Sequence, residues 1–248
     1  LYIYLGNFMD TYVLVHGAWH TGALLEDVAK TITSEGHKVY TPTLAGNNDG
    51  DTKSIGLDDA IQSLISFIKT NKIKDCILVG HSYGGMVITG TFDRLGSEYI
   101  KRLVYCNAFV PNPGESLNDM TPPHYVELFN NIVQEDGSVI LPFPIWREAF
   151  INDADSAVAK STYEKLNPHP YKTFTDPIRL TKPPAAMEVG KSYLSCQDDI
   201  AMPASLPWHP RLSEKLGLYR LISMPGSHET LFTNPLLLGK KIVEAGRD

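Results

Sequence analysis

Apolar residues along the chain fall into short unbroken runs and into segments with helical spacing. The runs at 11–17, 76–80 and 102–109 are rich in the β-branched and aromatic residues that favour strands. In the segments 24–32 and 57–68 apolar residues instead recur every three or four positions, as on one face of an amphipathic helix. Alternation of strand and helix is typical of βαβ units around a parallel sheet.

The same pattern predicts further elements along the chain. These are strands at 37–44, 192–196 and 219–224, and helices at 84–95, around 203–216 and at 234–245.

One long segment breaks the alternation. Eleven of the 17 prolines fall between residues 110 and 190, together with several aromatic residues. Proline cannot donate a hydrogen bond within a central sheet, so this density is incompatible with continued strands. The composition predicts an inserted, mainly helical cap at about 111–190.

Length and composition are those of one globular domain. The chain has 248 residues, of which 43% are hydrophobic and 20% are charged. We expect a single domain over residues 9–248, with Met9 as the natural start and residues 1–8 as a vector-derived or upstream remnant. The formal net charge of −6 and the scattered basic residues argue against a nucleic-acid partner. No apolar stretch approaches the ~20 residues that a membrane-spanning helix needs.

The three cysteines bear on the cellular compartment. Cys76, Cys106 and Cys196 each lie in or beside an apolar run that predicts a strand. An odd number of cysteines in strands favours reduced core thiols over a disulfide framework. We therefore expect a cytoplasmic protein.

The motif that carries chemistry joins a predicted strand to a predicted helix. The sequence GHSYG at 80–84 fits the pattern G-x-S-x-G, which marks a nucleophile when a strand precedes it and a helix follows. The glycines allow a turn so tight that Ser82 is held in a strained conformation, with its hydroxyl clear of the sheet. The backbone N–H of Tyr83 then points toward any oxyanion formed on attack.

A serine hydroxyl needs a base to take its proton and a carboxylate to orient that base. Of the eight histidines, His228 lies in a loop between the last strand and the last helix, where a side chain can reach over the carboxyl edge of a parallel sheet. His209 is the reserve candidate. His81 adjoins the serine and is expected to face away from the turn and to pack structurally.

Two other histidines have the spacing of a metal pair. His16 and His20 are four residues apart, a spacing that brings ligands together only on a helix. Gly17 and the end of the first strand place both in a loop instead, so no metal site is predicted.

The candidate acids are two adjacent aspartates. Asp198 and Asp199 lie just past the predicted strand at 192–196, and successive residues at a strand end point in opposite directions. Only one of them should therefore face His228, and the pattern favours neither.

The order serine, aspartate, histidine along the chain is that of the α/β-hydrolases. From Thr11 onward nearly the whole chain resembles that superfamily, and within it the plant methylesterase and hydroxynitrile lyase group with its small bacterial esterase relatives. The resemblance is carried by "VLVHGAWH", "GHKVYTPTLAG", "LVGHSYGGMV", "YLSCQDDIAMP" and "MPGSHETLF" and is weakest in the cap. It implies an α/β-hydrolase fold, with a mostly parallel central sheet flanked by helices and with an inserted, mainly helical cap.

The resemblance also implies residue roles. The family pattern C-x-x-D-x-x-x-P places the triad acid at Asp199, and the family's oxyanion hole corresponds to the amides of Ala18 and Tyr83. The lyases of the group carry a threonine after the first-strand histidine and a lysine after the triad histidine, where this chain has Gly17 and Glu229. Hydroxynitrile lyase chemistry is therefore not expected, and the role of Glu229 is left open.

Together these features predict a carboxylesterase-type serine hydrolase. Ser82 would attack a small carboxylic ester and form an acyl-enzyme, His228 would act as base, and Asp199 would orient the imidazole. No metal or organic cofactor is required. The expected partner is a small-molecule ester, and a homodimer is left open.

The substrate should be apolar or aromatic. Gly17, Trp19 and His20 beside the serine, and Trp146 from the cap, are predicted to line its pocket. Alternatively, the cap aromatics serve only to attach the cap to the sheet. Three rival functions remain: amide or lactone hydrolysis with the same triad, a non-hydrolytic carbon–carbon lyase, and a non-catalytic binding protein of the hormone-receptor kind. The presence of all three triad residue types argues against the binding protein.

Overall fold

A parallel sheet forms the centre of the protein, whose computed structural model describes residues 8–248. The strands are β1 (Thr11–Val15), β2 (Lys38–Tyr40), β3 (Cys76–His81), β4 (Ile100–Cys106), β5 (Ser138–Val139), β6 (His169–Pro170), β7 (Gly190–Cys196) and β8 (Arg220–Met224). Six of them form the central sheet in the order β2-β1-β3-β4-β7-β8, and all neighbouring pairs in it are parallel. The predicted parallel sheet is thus confirmed. Residues 1–7 of the predicted remnant lie outside the described residues.

Nine α-helices are found in residues 8–248, and several short 3₁₀ turns connect them. The helices are α1 (Glu26–Ser34), α2 (Leu57–Thr70), α3 (Gly84–Leu95), α4 (Pro123–Ile132), α5 (Phe143–Ile145), α6 (Ser156–Tyr163), α7 (Lys172–Thr175), α8 (Thr230–Thr233) and α9 (Pro235–Gly246). A π-helical turn, Trp146–Phe150, continues α5, and 3₁₀ turns cover Gly22–Leu25, Asn118–Met120, Pro184–Ala186 and Ser213–Leu216. None of these helices is long and apolar enough to cross a membrane.

The sheet is buried on both faces, as the unbroken apolar runs require. Along β1, Tyr12 and Leu14 face the core shared with α1 and α9, whereas Val13 and Val15 face the core shared with α2 and α3. The three cysteines are buried and unpaired.

The segment between β4 and β7 contains the proline-rich part of the chain. Helices α4 to α7 lie within it, together with the small antiparallel ribbon of β5 and β6. Buried residues of this segment, such as Phe129 and Trp146, belong to the same hydrophobic core as α2 and α3. The segment therefore packs on the same face of the sheet as α2 and α3.

Two predicted elements differ from the structure. The helix expected around 203–216 is a series of turns with one 3₁₀ turn at its end, because prolines at 203, 207 and 210 remove backbone donors and restrict the residues before them. The strand expected at 37–44 is only β2, since Pro42 lies two residues beyond it and cannot pair in a sheet.

Candidate active site

Ser82 occupies a strained turn between β3 and α3. Its φ of 55° lies in the left-handed region, which is uncommon for a residue other than glycine. The backbone N–H of Ser82 donates to the carbonyl of Cys106, and its own carbonyl accepts from the N–H groups of Gly85 and Phe109. These contacts hold the turn in place and leave the serine side chain at a pocket wall.

Glycine is required on both sides of this serine. A Cβ atom on Gly80 would lie 2.7 Å from the carbonyl oxygen of Gly84, and one on Gly84 would lie 2.8 Å from the carbonyl oxygen of Val15. Both contacts are with backbone, which cannot move without disrupting the sheet. The G-x-S-x-G pattern is therefore explained by close backbone approach.

His228 and Asp199 lie side by side at the carboxyl edge of the sheet. His228 Nδ1 is 2.5 Å from Asp199 Oδ2, and both side chains are almost completely buried. Because the carboxylate can only accept, Nδ1 carries the proton and Nε2 is left as the basic nitrogen. Ser82 and His228 line the same pocket, although no hydrogen bond joins them within residues 8–248.

The two adjacent aspartates have different partners. Asp199 Oδ2 also accepts from Asn107 Nδ2 at 2.6 Å, and its Oδ1 accepts from the Ala201 N–H at 2.8 Å. Asp198 instead accepts from the Gly226 N–H at 2.7 Å. Asp199 is thus the aspartate that contacts His228.

Asn107 is a site residue that the sequence motifs did not reveal. It has a φ of 38°, is 1% exposed, and accepts from the Cys196 N–H at 2.9 Å while its amide donates to Asp199. Asparagine is among the residues that adopt this left-handed conformation most readily, and an asparagine at a strand end is the only signal that the sequence offered.

Aromatic groups enclose the imidazole of His228. The ring of Trp208 stacks on it with centroids 5.1 Å apart and an interplanar angle of 11°, and Phe150 meets it edge-on at 5.2 Å. Burial alone would lower the pKa of His228, but the charge and hydrogen bond of Asp199, with a contribution from Glu229, raise it above its usual value.

Neither His81 nor His209 is positioned to act as the base for Ser82. His81 Nε2 lies 2.8 Å from the carbonyl oxygen of His228, so this ring supports the main chain of the histidine loop rather than facing the serine. Burial is the main cause that lowers the pKa of His81 well below its usual value, which keeps the ring neutral. His209 Nδ1 is 2.6 Å from the hydroxyl of Ser213 and does not line the pocket.

The residues expected to form an oxyanion hole border the same pocket. Ala18 and Tyr83 both line it together with Ser82. Within residues 8–248, neither of their backbone N–H groups donates a hydrogen bond. Both donors are therefore available to a ligand.

His16 holds the peptide group that carries the Ala18 N–H. Its Nε2 accepts from the Leu44 N–H at 3.0 Å, so Nδ1 carries the proton and donates to the Gly17 carbonyl at 2.8 Å. Burial is the largest of the causes that lower the pKa of His16 to about 4, which keeps this tautomer neutral.

His20 makes two hydrogen bonds behind the same turn. Its Nδ1 donates to the Ala18 carbonyl at 2.7 Å, and its Nε2 lies 2.8 Å from Glu229 Oε2. Both ring nitrogens of His16 and of His20 are thus engaged by the protein, so the two histidines do not form a metal pair.

The pocket above Ser82 is largely aromatic. Its non-aromatic polar side chains and its histidine are Ser82, Thr121 and His228, and the remainder of the wall is aliphatic or aromatic. The aromatic members are Trp19, Tyr83, Phe109, Tyr125, Phe129, Phe150, Phe174 and Trp208.

The predicted pocket residues need correction at three positions. Trp19 lines the pocket as expected, whereas Gly17, His20 and Trp146 do not. Gly17 lies under the serine, where an added Cβ would be 3.1 Å from the Cβ of Ser82. His20 and Trp146 lie one layer behind the wall with their rings 5.9 Å apart, because His20 turns toward the Ala18 carbonyl and Trp146 is fully buried.

Comparisons with known proteins extend over most of the chain. A sequence model of the alpha/beta hydrolase family matches residues 12–237. A carbendazim hydrolyzing esterase from Nocardioides sp. is 44% identical over 117 residues, and this match spans about half of each protein, 46% of this chain and 48% of the relative. A pyrethroid hydrolase from Sphingobium wenxiniae is 23% identical over 247 residues, which are 94% of this chain and 86% of the relative.

Solved structures show the same fold. An extracellular alpha/beta-hydrolase from a Paenibacillus species, described as sharing structural and functional homology with tobacco salicylic acid binding protein 2, superposes with a TM-score of 0.93 at 33% identity, covering 96% of this chain and all of that one. A methylesterase from Arabidopsis superposes with a TM-score of 0.77 at 21% identity, covering 96% of this chain and 98% of that one.

Proposed function

The chain belongs to the alpha/beta hydrolase family, and from that premise we propose that it is a serine esterase that cleaves a small carboxylic ester. The proposal rests on one observation above all. A strained serine at the strand-to-helix turn lines the same pocket as His228, whose Nδ1 donates a hydrogen bond to the buried Asp199. Relatives named as esterases and hydrolases support it.

The proposed reaction proceeds by double displacement. His228 Nε2 takes the proton of Ser82 as the serine oxygen attacks the ester carbonyl, and the resulting oxyanion accepts hydrogen bonds from the Ala18 and Tyr83 amides. The imidazolium then gives its proton to the departing alcohol, which leaves an acyl-enzyme. A water molecule, deprotonated in turn by His228, releases the acid and restores Ser82.

The arrangement around His228 suits this cycle. Asp199 accepts from Nδ1, so it holds the tautomer in which Nε2 is the base and stabilises the imidazolium that forms. Asn107 and the Ala201 N–H fix the carboxylate in turn. Removing one oxyanion donor in such a site costs on the order of 3 kcal/mol of transition-state stabilisation, so the geometry of the Ala18 turn bears directly on the rate.

The pocket indicates which esters would fit. Eight aromatic side chains and few polar groups favour a substrate with an aromatic or otherwise apolar part.

Hydroxynitrile lyase chemistry is disfavoured by the position after the histidine. The lysine that the resemblance to the lyases would place directly after the triad histidine is Glu229 in this chain. The carboxylate of Glu229 is hydrogen-bonded to His20, and Glu229 does not line the pocket, so it is not in a position to hold a leaving cyanide.

The proposal is tested by hydrolysis of p-nitrophenyl esters of increasing acyl length. We expect turnover by the intact protein and its loss in Ser82→Ala, with the acyl-length profile reporting the size of the pocket. Equal turnover in Ser82→Ala would refute the assignment of the nucleophile. Absence of turnover by the folded protein on every ester, combined with cleavage of the matching amides or lactones, would favour the rival hydrolase.

A further inference from the structure

Trp19 has a backbone conformation that its side chain disfavours. Its φ of 66° lies in the left-handed region, where a bulky aromatic residue is a clear outlier. Such a conformation costs on the order of 1–3 kcal/mol and persists only when surrounding contacts impose it. Trp19 directly follows Ala18, so the contacts that impose this conformation also hold the Ala18–Trp19 peptide group, which is the neighbour of the peptide group that carries the proposed oxyanion donor.

The contacts that impose it come from the segment between β4 and β7. The Trp19 carbonyl accepts from the backbone N–H of Asn167 at 2.9 Å and from its side-chain amide at 3.2 Å. The Trp19 N–H donates to His169 Nδ1 at 3.4 Å, and the indole N–H donates to the Val139 carbonyl at 2.9 Å. Every polar group of Trp19 is therefore engaged by this one segment.

His169 is held in the tautomer that this contact needs. Its Nδ1 faces the Trp19 N–H and, at 3.1 Å, the side-chain amide of Asn47, and its Nε2 lies 2.8 Å from the hydroxyl of Thr173. Two donors at Nδ1 require that nitrogen to be unprotonated, so Nε2 carries the proton. Burial is the main cause that lowers the pKa of His169 well below its usual value, which keeps the ring neutral.

The two acceptors belong to one structural element. Val139 and His169 are directly paired across the ribbon of β5 and β6. The indole and the backbone of Trp19 are therefore held by the same cross-strand pair, and Asn167 lies two residues before it. This ribbon was not expected from the sequence, which predicted a mainly helical cap.

The sheet side of the turn is held by a different set of residues. His16 donates to the Gly17 carbonyl and His20 donates to the Ala18 carbonyl. Together with the contacts to Trp19, these bonds fix three consecutive carbonyl groups of the turn. The Ala18 N–H, which belongs to the first of these restrained peptide groups, is left without a protein acceptor among residues 8–248.

We propose that Asn167 and His169 are positioning residues for the oxyanion hole. Their contacts with the N–H and the carbonyl group of Trp19 hold the peptide groups that follow Ala18, which restricts rotation about the Ala18 backbone and so keeps the Ala18 N–H in its direction. The inference rests on the proposed esterase function. Neither residue lines the pocket that contains Ser82, so neither contacts the substrate there.

This role predicts a specific kinetic signature. The Ala18 amide would bind the oxyanion of the transition state more strongly than the ground-state ester, so its displacement lowers kcat with little change in KM. Loss of a whole oxyanion donor costs about 100- to 1000-fold in kcat, and we expect a misdirected donor to cost about 10- to 100-fold.

The test compares Asn167→Ala with Asn131→Ala, an exposed asparagine of the same segment. For Asn167→Ala we expect a kcat on p-nitrophenyl acetate lower by about 10- to 100-fold and a KM within about 2-fold of the unmodified protein. A trifluoromethyl ketone binds when the serine oxygen adds to its carbonyl carbon, and its carbonyl oxygen then becomes an oxyanion. Binding of this inhibitor should weaken by a similar factor, whereas binding of the product acid should not. Asn131→Ala should match the unmodified protein in all four quantities.

His169 provides a second variant and a rescue. His169→Ala removes the acceptor of the Trp19 N–H, and His169→Gln can restore an acceptor through its amide oxygen, so we expect the glutamine variant to recover part of the lost kcat. Because His169 is fully buried, the folding of each variant is checked by its near-ultraviolet circular dichroism and its melting temperature. If His169→Ala does not fold, the test rests on Asn167→Ala.

The possible outcomes are distinguishable. Turnover by the unmodified protein with an unchanged kcat in folded Asn167→Ala would overturn this inference alone, as would a rise in KM with unchanged kcat. No turnover by the unmodified protein on any ester would overturn the proposed function and this inference with it.

Discussion

Glu229, whose role the sequence left open, is a buried carboxylate next to the proposed catalytic base. It is 0% exposed, and its Oε2 lies 2.8 Å from Nε2 of His20, whose Nδ1 donates to the Ala18 carbonyl. One carboxylate therefore connects the loop of His228 with the turn that carries the oxyanion donor. Burial lowers the pKa of His228, and the charges of Asp199 and Glu229 raise it.

Replacing Glu229 by glutamine should change the pH dependence of the reaction. The base must be neutral to accept the serine proton, so activity is lost as the pH falls through the pKa of His228. Glu229→Gln removes one negative charge that raises this pKa, so we expect the acid limb of the kcat/KM profile to move to lower pH. The measurement is kcat/KM on a p-nitrophenyl ester across the acid range.

The control for this prediction is Glu188→Gln, which removes the same charge from an exposed position. Its acid limb should coincide with that of the unmodified protein. A profile for Glu229→Gln that does not move, or that moves to higher pH, would show that Glu229 does not act on His228 through its charge.

At the level of single residues, the local motif was sufficient for some positions and not for others. Ser82 could be predicted because glycines on either side of a serine, placed at a strand-to-helix boundary, are typical of a nucleophile turn. Asp199 was separated from Asp198 only by the resemblance to a family, since adjacent positions carry the same side chain. The contact between His20 and Glu229 joins residues 209 positions apart, which no local pattern encodes.

Among the structural elements, the segment between β4 and β7 has two distinct roles. Its ribbon contacts Trp19, in the turn that carries the Ala18 N–H, and its helices and loops contribute much of the pocket wall. Leu117 and Phe129 are two apolar wall residues from this segment. In the proposed esterase the segment would therefore bear on both the rate and the choice of substrate.

Shortening one wall residue should change the acyl-length preference. Leu117 lines the pocket and is 4% exposed, so Leu117→Ala enlarges the space above Ser82. We expect the preferred acyl chain to lengthen by one or more carbons, with a loss of about 2–4 kcal/mol in the free energy of unfolding. The measurements are kcat/KM over a series of p-nitrophenyl esters and urea denaturation.

Leu128→Ala is the matched control, because Leu128 is half-buried on α4 and does not line the pocket. It should leave the acyl-length profile unchanged. An acyl-length profile of Leu117→Ala that coincides with that of the unmodified protein would contradict the assignment of this cavity as the acyl site.

Prediction of the elements succeeded where backbone and side chains favour the same state. Helix α3 was predicted within its observed bounds, Gly84–Leu95, since the motif sets its start and Gly96 ends it with a φ of 71°. The stretch around 203–216 failed because apolar residues occur there at helical spacing while three prolines prevent the helical hydrogen bonds. The ribbon of β5 and β6 is only two residues long on each side, too short for any periodicity to appear.

In the whole molecule, the candidate site is assembled by the topology of the sheet. Ser82 follows β3, Asp199 follows β7 and His228 follows β8, and the carboxyl ends of these parallel strands lie at one edge. This convergence follows from the alternation of strands and helices, which the sequence already predicts. The cytoplasmic location stays a prediction, and the Paenibacillus relative is described as extracellular.

The central claim, that Ser82 is a nucleophile activated by His228, is tested most directly by covalent labelling with diisopropyl fluorophosphate. The serine oxygen attacks phosphorus and fluoride leaves, so the label stays on the attacking residue and is located by mass spectrometry of peptides. We expect one label per chain, on Ser82, with none in Ser82→Ala and labelling slower by about 100-fold or more in His228→Ala. Labelling of another residue, or equally fast labelling of Ser82 without His228, would contradict the claim.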